Sequence, residues 1–151
     1  MSAVLHQAGA IPFRIEAEGL RVLLITSRDT GRWVIPKGGI EPGHTALQAA
    51  EQEAFEEAGI KGVMHKTPLG VYSYGKRLRS GAVQPASVEV YALEVTKQVK
   101  KWPERGQRRS VWVTIPTAMD LVDEPGMATL LLKLAQMQAA SKQTIDSSAN
   151  K

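Results

Sequence analysis

The chain has 151 residues, no cysteine, and 19 Lys and Arg against 15 Asp and Glu, for a formal net charge of +4. That length suits one domain with a sizeable core, and the missing cysteines exclude disulfides and thiolate metal sites. No run of about eighteen apolar residues and no basic n-region followed by an apolar h-region is present, so neither a membrane span nor a signal peptide is indicated, and the default location is cytoplasmic. The cationic excess favours polyanionic ligands, whether nucleic acid or a small molecule carrying several phosphates.

In chain order, Gln7 to Arg14 and Leu20 to Ser27 read as strands joined by a hairpin turn at Glu16-Ala17-Glu18-Gly19, with Gly19 at positive φ. Val22-Leu23-Leu24-Ile25 is an unbroken apolar run, as a strand covered on both faces requires. A polar loop follows from Arg28 to Arg32, then a short strand, Trp33-Val34-Ile35, ended by Pro36. Lys37-Gly38-Gly39 is no Walker loop: the lysine precedes the glycines and no Ser or Thr follows.

Beyond residue 60, Val63 to Tyr74 reads as one or two strands interrupted at Pro68 and Gly70, and Gly75 to Gly81 as a basic loop carrying Lys76, Arg77 and Arg79. Ser87 to Thr96 is a strand with Val88, Val90 and Ala92 on one face and Ser87, Glu89 and Tyr91 on the other. Lys97 to Arg109 is a second basic stretch, with Lys100, Lys101, Arg105, Arg108 and Arg109 around Trp102-Pro103. One aromatic is thin support for stacking on single-stranded nucleic acid, so Trp102 is expected to pack the loop down. Val111-Trp112-Val113 is a last strand, Thr117 to Val122 a helical turn, and Met127 to Ala140 a helix with Leu130, Leu131, Leu134 and Met137 (or Leu132) at core spacing. The domain is expected to fill residues 1–140, with 141–151 a polar, disordered tail.

The stretch that carries chemistry runs from Gly38 to Ile60. Thr45 and Gln48 have the form of a capping box, and Gly59 can end the helix in the left-handed conformation. Leu47, Ala50, Ala54 and Ala58 recur at helical spacing on one small apolar face, while Glu53, Glu56 and Glu57 cluster on another. Such a cluster is either a solvated acidic face or a set of oxygen ligands for a hard divalent cation, and the helix by itself does not decide. The wider spacing does. Gly38, Glu53, Ala54, Glu56, Glu57, Gly59 and Ile60 fall on the pattern of the Nudix box, and the chain resembles that family from about Ala8 to Leu134. Two positions depart: the box's first Glu is His44 and its Arg is Gln52. In the family those side chains typically pair, and a neutral His44–Gln52 hydrogen bond is the expected substitute.

The resemblance implies an α/β fold, a Nudix-type α/β/α sandwich with a mixed β-sheet, and hydrolysis of a phosphoanhydride linked to a moiety X. Divalent metal, Mg²⁺ or Mn²⁺, would be held by Glu53, Glu56 and Glu57, and Glu56 or Glu89 would take the proton from the attacking water. Glu89 otherwise reads as an exposed strand carboxylate. Gly38 and Gly39 would let the main chain approach metal and phosphate. Ser27-Arg28 followed by Arg32-Trp33-Val34-Ile35-Pro36, the basic loop at Lys76, Arg77 and Arg79, and the region from Trp102 to Trp112 look like the diphosphoinositol polyphosphate phosphohydrolase branch, which also cleaves diadenosine polyphosphates. By that likeness Arg28, Lys76, Arg77 and Arg79, with Arg108 or Arg109, would hold phosphates. Arg32 and Lys37 are further expected substrate contacts, Arg28 and Lys37 steadying the charge on the leaving phosphate. Removal of pyrophosphate from the 5′ end of RNA and a catalytically silent binding module are the alternatives. The partner expected is a small polyphosphate, with no membrane role and nucleic acid disfavoured.

Overall fold

The protein is described here by a computed structural model that covers residues 3–149 of the backbone and the side chains of residues 3–141. Its elements follow the order β1 (Leu5–Glu16), β2 (Gly19–Thr26), β3 (Trp33–Val34), β4 (Lys37–Gly39), α1 (Ala46–Ala58), β5 (Ile60–Met64), β6 (Gly70–Arg77), β7 (Val83–Gln98), β8 (Ser110–Val113), α2 (Ile115–Leu121) and α3 (Pro125–Ala149). All eight strands form one sheet in which β1 and β7 run parallel and the other pairs antiparallel. The sheet is therefore mixed, as the family resemblance implies.

Alternation sorts the apolar residues into two layers. Val22 and Leu24 of β2 join Ile11, Phe13, Val88, Val90 and Ala92 under α2 and α3, whose Ile115, Leu131 and Leu134 complete that core. Leu23 and Ile25 face the other way, with Ala8, Ala10, Tyr91 and Leu93, against Ala49, Ala50, Ala54 and Ala58 of α1. The run from Val22 to Ile25 is thus covered on both faces, and helices flank the sheet on both sides. Alanines on the helix and on β1 let α1 lie close to the sheet, which decides where its carboxylates end up.

Several boundaries differ from the sequence reading, each for a tertiary reason. Lys37–Gly39 is a strand because it pairs with Gln7–Gly9 of β1, a partner about thirty residues away that rescues a glycine-rich segment of low intrinsic strand preference. Ile35 falls outside β3 and is buried in the larger core instead. The basic loop begins later than expected, since Gly75, Lys76 and Arg77 pair with Pro85, Gln84 and Val83. Leu132 and Met137 are 43% and 39% exposed, so neither is the fourth core position of α3. Nor does that helix stop at Ala140. No Pro or Gly interrupts the polar residues that follow, and α3 continues to Ala149, leaving only residues 150 and 151 of the expected tail outside the described backbone.

Candidate active site

The acidic helix is held at both ends as its residue types require. Thr45 Oγ1 accepts from the Gln48 N–H at 3.1 Å, and the Gln48 side chain accepts from the Thr45 N–H at 2.9 Å, a reciprocal box that satisfies two otherwise orphaned donors. Gly59 closes the helix at φ 69° with its N–H on Phe55 O. A side chain at Gly59 would also strike the Trp102 ring, which lies 2.5 Å from where the Cβ would stand, so this glycine is needed twice. Trp102 does pack its loop down, and onto the end of α1.

Between those ends Glu53, Glu56 and Glu57 line one cleft of about 730 Å³ together with Gly38 and Gly39. Gly38 is the contact point: a Cβ there would lie 2.5 and 2.7 Å from the two oxygens of Glu53. Glu57 sits deepest, 8% exposed. Its Oε1 accepts from the Lys37 N–H and its Oε2 from Arg108 Nη2, both at 3.0 Å. Burial pushes the Glu57 carboxyl up, to about 7, against the pull of Arg108 and the Lys37 N–H. Burial, then the neighbouring Glu56, raises Glu53 too. Burial lowers the Lys37 ammonium, with Glu57 opposing. Among the described residues no three carboxylates or imidazoles already enclose a cation-sized space.

Of the cations expected to bind phosphate, Arg28, Arg32, Lys37, Lys76 and Arg77 do line this cleft. Arg28 donates to Gln107 at 2.9 Å and lies 3.6 Å from Glu104; Arg32 lies 3.4 Å from Asp123. Lys37 Nζ donates to Tyr74 at 3.2 Å, and Tyr74 in turn donates to the buried Gln7 at 2.7 Å. Four other expected residues are not among those that line the cleft. Arg79 is not in the cleft wall, because β6 carries Lys76 and Arg77 to it and then turns away at Leu78. Arg109 stands over the Trp33 ring at 5.5 Å. Arg108 points inward, onto Glu57, Glu104 and the Thr26 carbonyl. Glu89 is also outside the cleft wall, its Oε2 accepting from the Tyr91 hydroxyl at 2.7 Å.

The expected His44–Gln52 hydrogen bond is replaced by other partners. Gln52 donates to Glu56 at 2.8 Å, one helical turn on, and His44 Nδ1 lies 3.9 Å from Glu41. Sequence reasoning missed Gln7, Tyr72, Tyr74 and Glu104 as cleft residues. Tyr72 and Tyr74 are two apart on a strand and so share a face, which was the available signal.

A family model for the NUDIX domain matches residues 5–134. The chain belongs to the Nudix family. Among curated relatives of this Nudix domain, mitochondrial Nudix hydrolase 12 of Arabidopsis thaliana is 36% identical over 76% of this chain and 64% of its own length. Mitochondrial Nudix hydrolase 13 of the same plant is 32% identical over 93% and 78%. Human diphosphoinositol polyphosphate phosphohydrolase 3-beta is 32% identical over 85% and 76%. The chain thus spans just under two thirds of the first of these proteins and about three quarters of the others. Among solved structures, a Caenorhabditis elegans Ap4A hydrolase binary complex superposes with a TM-score of 0.69 at 25% identity, over 91% of this chain and 99% of that one. No helix among the described residues is long and apolar enough to cross a membrane.

Proposed function

We propose that this Nudix domain is a divalent-metal-dependent hydrolase that cleaves a phosphoanhydride bond in a dinucleoside polyphosphate or a diphosphoinositol polyphosphate. One observation carries the reading: Glu53, Glu56 and Glu57 share a single cleft with Arg28, Lys37, Lys76 and Arg77. A wall of carboxylates facing a wall of cations suits a ligand that is itself a polyanion bridged by hard cations. The donor set fits Mg²⁺ or Mn²⁺, being all oxygen and anionic, and the space a Cβ would fill at Gly38 is the space the Glu53 carboxylate occupies.

Such a cation, when bound, neutralises phosphate oxygens and lowers the pKa of water. The chain's own residues do the rest. Lys37, at the junction of the acidic and aromatic walls, balances charge on the phosphates. Lys76 and Arg77 at the rim hold the outer phosphates, where among the described residues no carboxylate pairs with them. Glu53 or Glu56 takes the proton of the attacking water, since Glu89 is outside the cleft wall. Between the two substrate classes the lining favours the dinucleoside. Three expected phosphate-holding arginines do not line the cleft, whereas Tyr74, only partly buried, does and presents an aromatic ring that a base can meet.

The experiment is phosphate and pyrophosphate release with Mg²⁺ or Mn²⁺ from diadenosine polyphosphates, inositol pyrophosphates, nucleoside triphosphates and triphosphorylated RNA, with Glu57→Gln as control. Turnover of a diadenosine polyphosphate, lost in the variant, is the expected result. Folded protein that turns over nothing would instead support a binding module, and turnover of the RNA alone would replace the substrate assigned here.

A further inference from the structure

We propose that Arg108 is a positioning residue for Glu57, brought in from outside the Nudix box to hold the carboxylate that residue 52, a glutamine, does not touch. The inference rests on the metal-hydrolase reading above. Arg108 lies in the segment between β7 and β8, and that segment is fastened to the C-terminal end of α1. Val99 N–H donates to Gly59 O at 2.8 Å, Glu104 N–H donates to Glu56 O at 3.0 Å, and the Trp102 ring covers Gly59. The first two bonds cap carbonyls that a helix end leaves without partners.

From that anchored loop the Arg108 side chain, 10% exposed, reaches α1, β2 and Glu104 of its own loop at once. Nη2 donates to Glu57 Oε2 and to Glu104 Oε1 at 3.0 Å, Nε donates to Glu104 Oε1 at 3.2 Å, and Nη1 donates to Thr26 O at 3.1 Å. A planar guanidinium held at this many points has one orientation, and it imposes that orientation on its partner. With the Lys37 N–H on the other oxygen, the plane of the Glu57 carboxylate is fixed from both sides. Each oxygen retains a second lone pair for a cation in the cleft. Gln52, by contrast, is spent on Glu56. The brace that the box has lost at positions 44 and 52 is thus supplied from a different loop, to a different glutamate.

The test is Mn²⁺ binding to the full chain, read by the electron paramagnetic resonance of free Mn²⁺, with circular dichroism melts alongside. Arg108→Met is expected to weaken Mn²⁺ binding about tenfold, the scale of losing a partner that orients a metal ligand. Arg108→Lys, which keeps the charge but not the fork, is expected to restore little of it. Glu104→Gln, at a less buried position, is expected to weaken binding less, and Arg108→Met combined with it to be no worse than Arg108→Met alone. Unchanged or tighter binding in Arg108→Met, full rescue by Arg108→Lys, or additivity of the two sites would each overturn the inference. Should the Arg108 variants not fold, Glu104→Gln decides: unaltered affinity there overturns it as well. Wild-type protein that binds no Mn²⁺ overturns the hydrolase reading and this inference with it.

Discussion

Two glycines show how the same substitution tests different things at the residue scale. At Gly62 an added Cβ would fall inside the radius of the Glu94 carbonyl oxygen, which is backbone and cannot yield, so that position serves the sheet. At Gly38 the obstructed atoms are the far end of the Glu53 side chain, which can swing aside. Gly38→Ala is therefore expected to change stability by less than about 1 kcal/mol while activity falls by roughly a hundredfold or more, because the carboxylate leaves its place. A urea melt beside a turnover assay checks both halves, and a large stability loss with activity per folded molecule intact would show that Glu53 does not depend on this gap. Glu57 gives a second residue-scale expectation. Its carboxyl is raised from 4.5 to about 7 by burial, so the folded state holds the proton more tightly than the unfolded state does. Between those pH values the folded chain binds more protons, and this group's contribution to stability falls as pH rises, then flattens above about 7. The contribution is at most about 3 kcal/mol, at 1.36 kcal/mol per pH unit. In metal-free protein, wild type should lose stability relative to Glu57→Gln from about pH 5 to about pH 7. Parallel pH profiles for the two would show that Arg108 keeps the group ionised throughout.

At the scale of elements, α1 is the working part, and it is held by local chemistry at its N-terminus and by a distant loop at its C-terminus. Thr45→Ala removes one side of the reciprocal cap and should cost about 1 kcal/mol in urea unfolding. Mn²⁺ affinity of the folded fraction should hardly move, since Glu53 to Glu57 are two turns further on; a large loss of affinity would mean that the cap aims the carboxylates. This division also explains what the sequence made legible. The cap, the left-handed Gly59 and the carboxylate spacing lie within about twenty residues and are written in residue type alone, so α1 and three acids of the cleft could be read directly. Strand β4 could not, because its reason for being extended is Gln7–Gly9. The inward turn of Arg108 could not either. Five cations crowd residues 100–109, and nothing local separates the one that meets Glu57 from those that face water. Glu89 is a candidate through the family resemblance, which allows an acid from outside the box; alternation gives the face it shares with Ser87 and Tyr91, but not how far along that strand the cleft extends.

At the scale of the whole molecule, the sheet separates two kinds of packing. Bulky aliphatic side chains fill the layer under α2 and α3, whereas α1 presents alanines to its own layer, which brings its acids close to β4. The cleft opens where the acidic wall from α1 meets the cationic strand end of β6, and the net charge of +4 adds a weak long-range attraction for a polyanion. Much of the cleft's positive charge is internally matched, Arg28 by Glu104 and Arg32 by Asp123, whereas Lys76 and Arg77 have no carboxylate partner among the described residues and are free to meet an approaching polyanion. Both sit at the rim, where salt screens them. Raising ionic strength from about 0.01 M to about 0.15 M shortens the screening length from about 30 to about 8 Å, so KM for the proposed polyphosphate substrate should rise severalfold while kcat holds, because the deeper Lys37 and the carboxylates are screened far less. Lys76→Gln with Arg77→Gln should raise KM at low salt and flatten its dependence on salt. Equal salt slopes in wild type and the double variant would move the capture step away from the rim, onto Lys37 and the acidic wall itself.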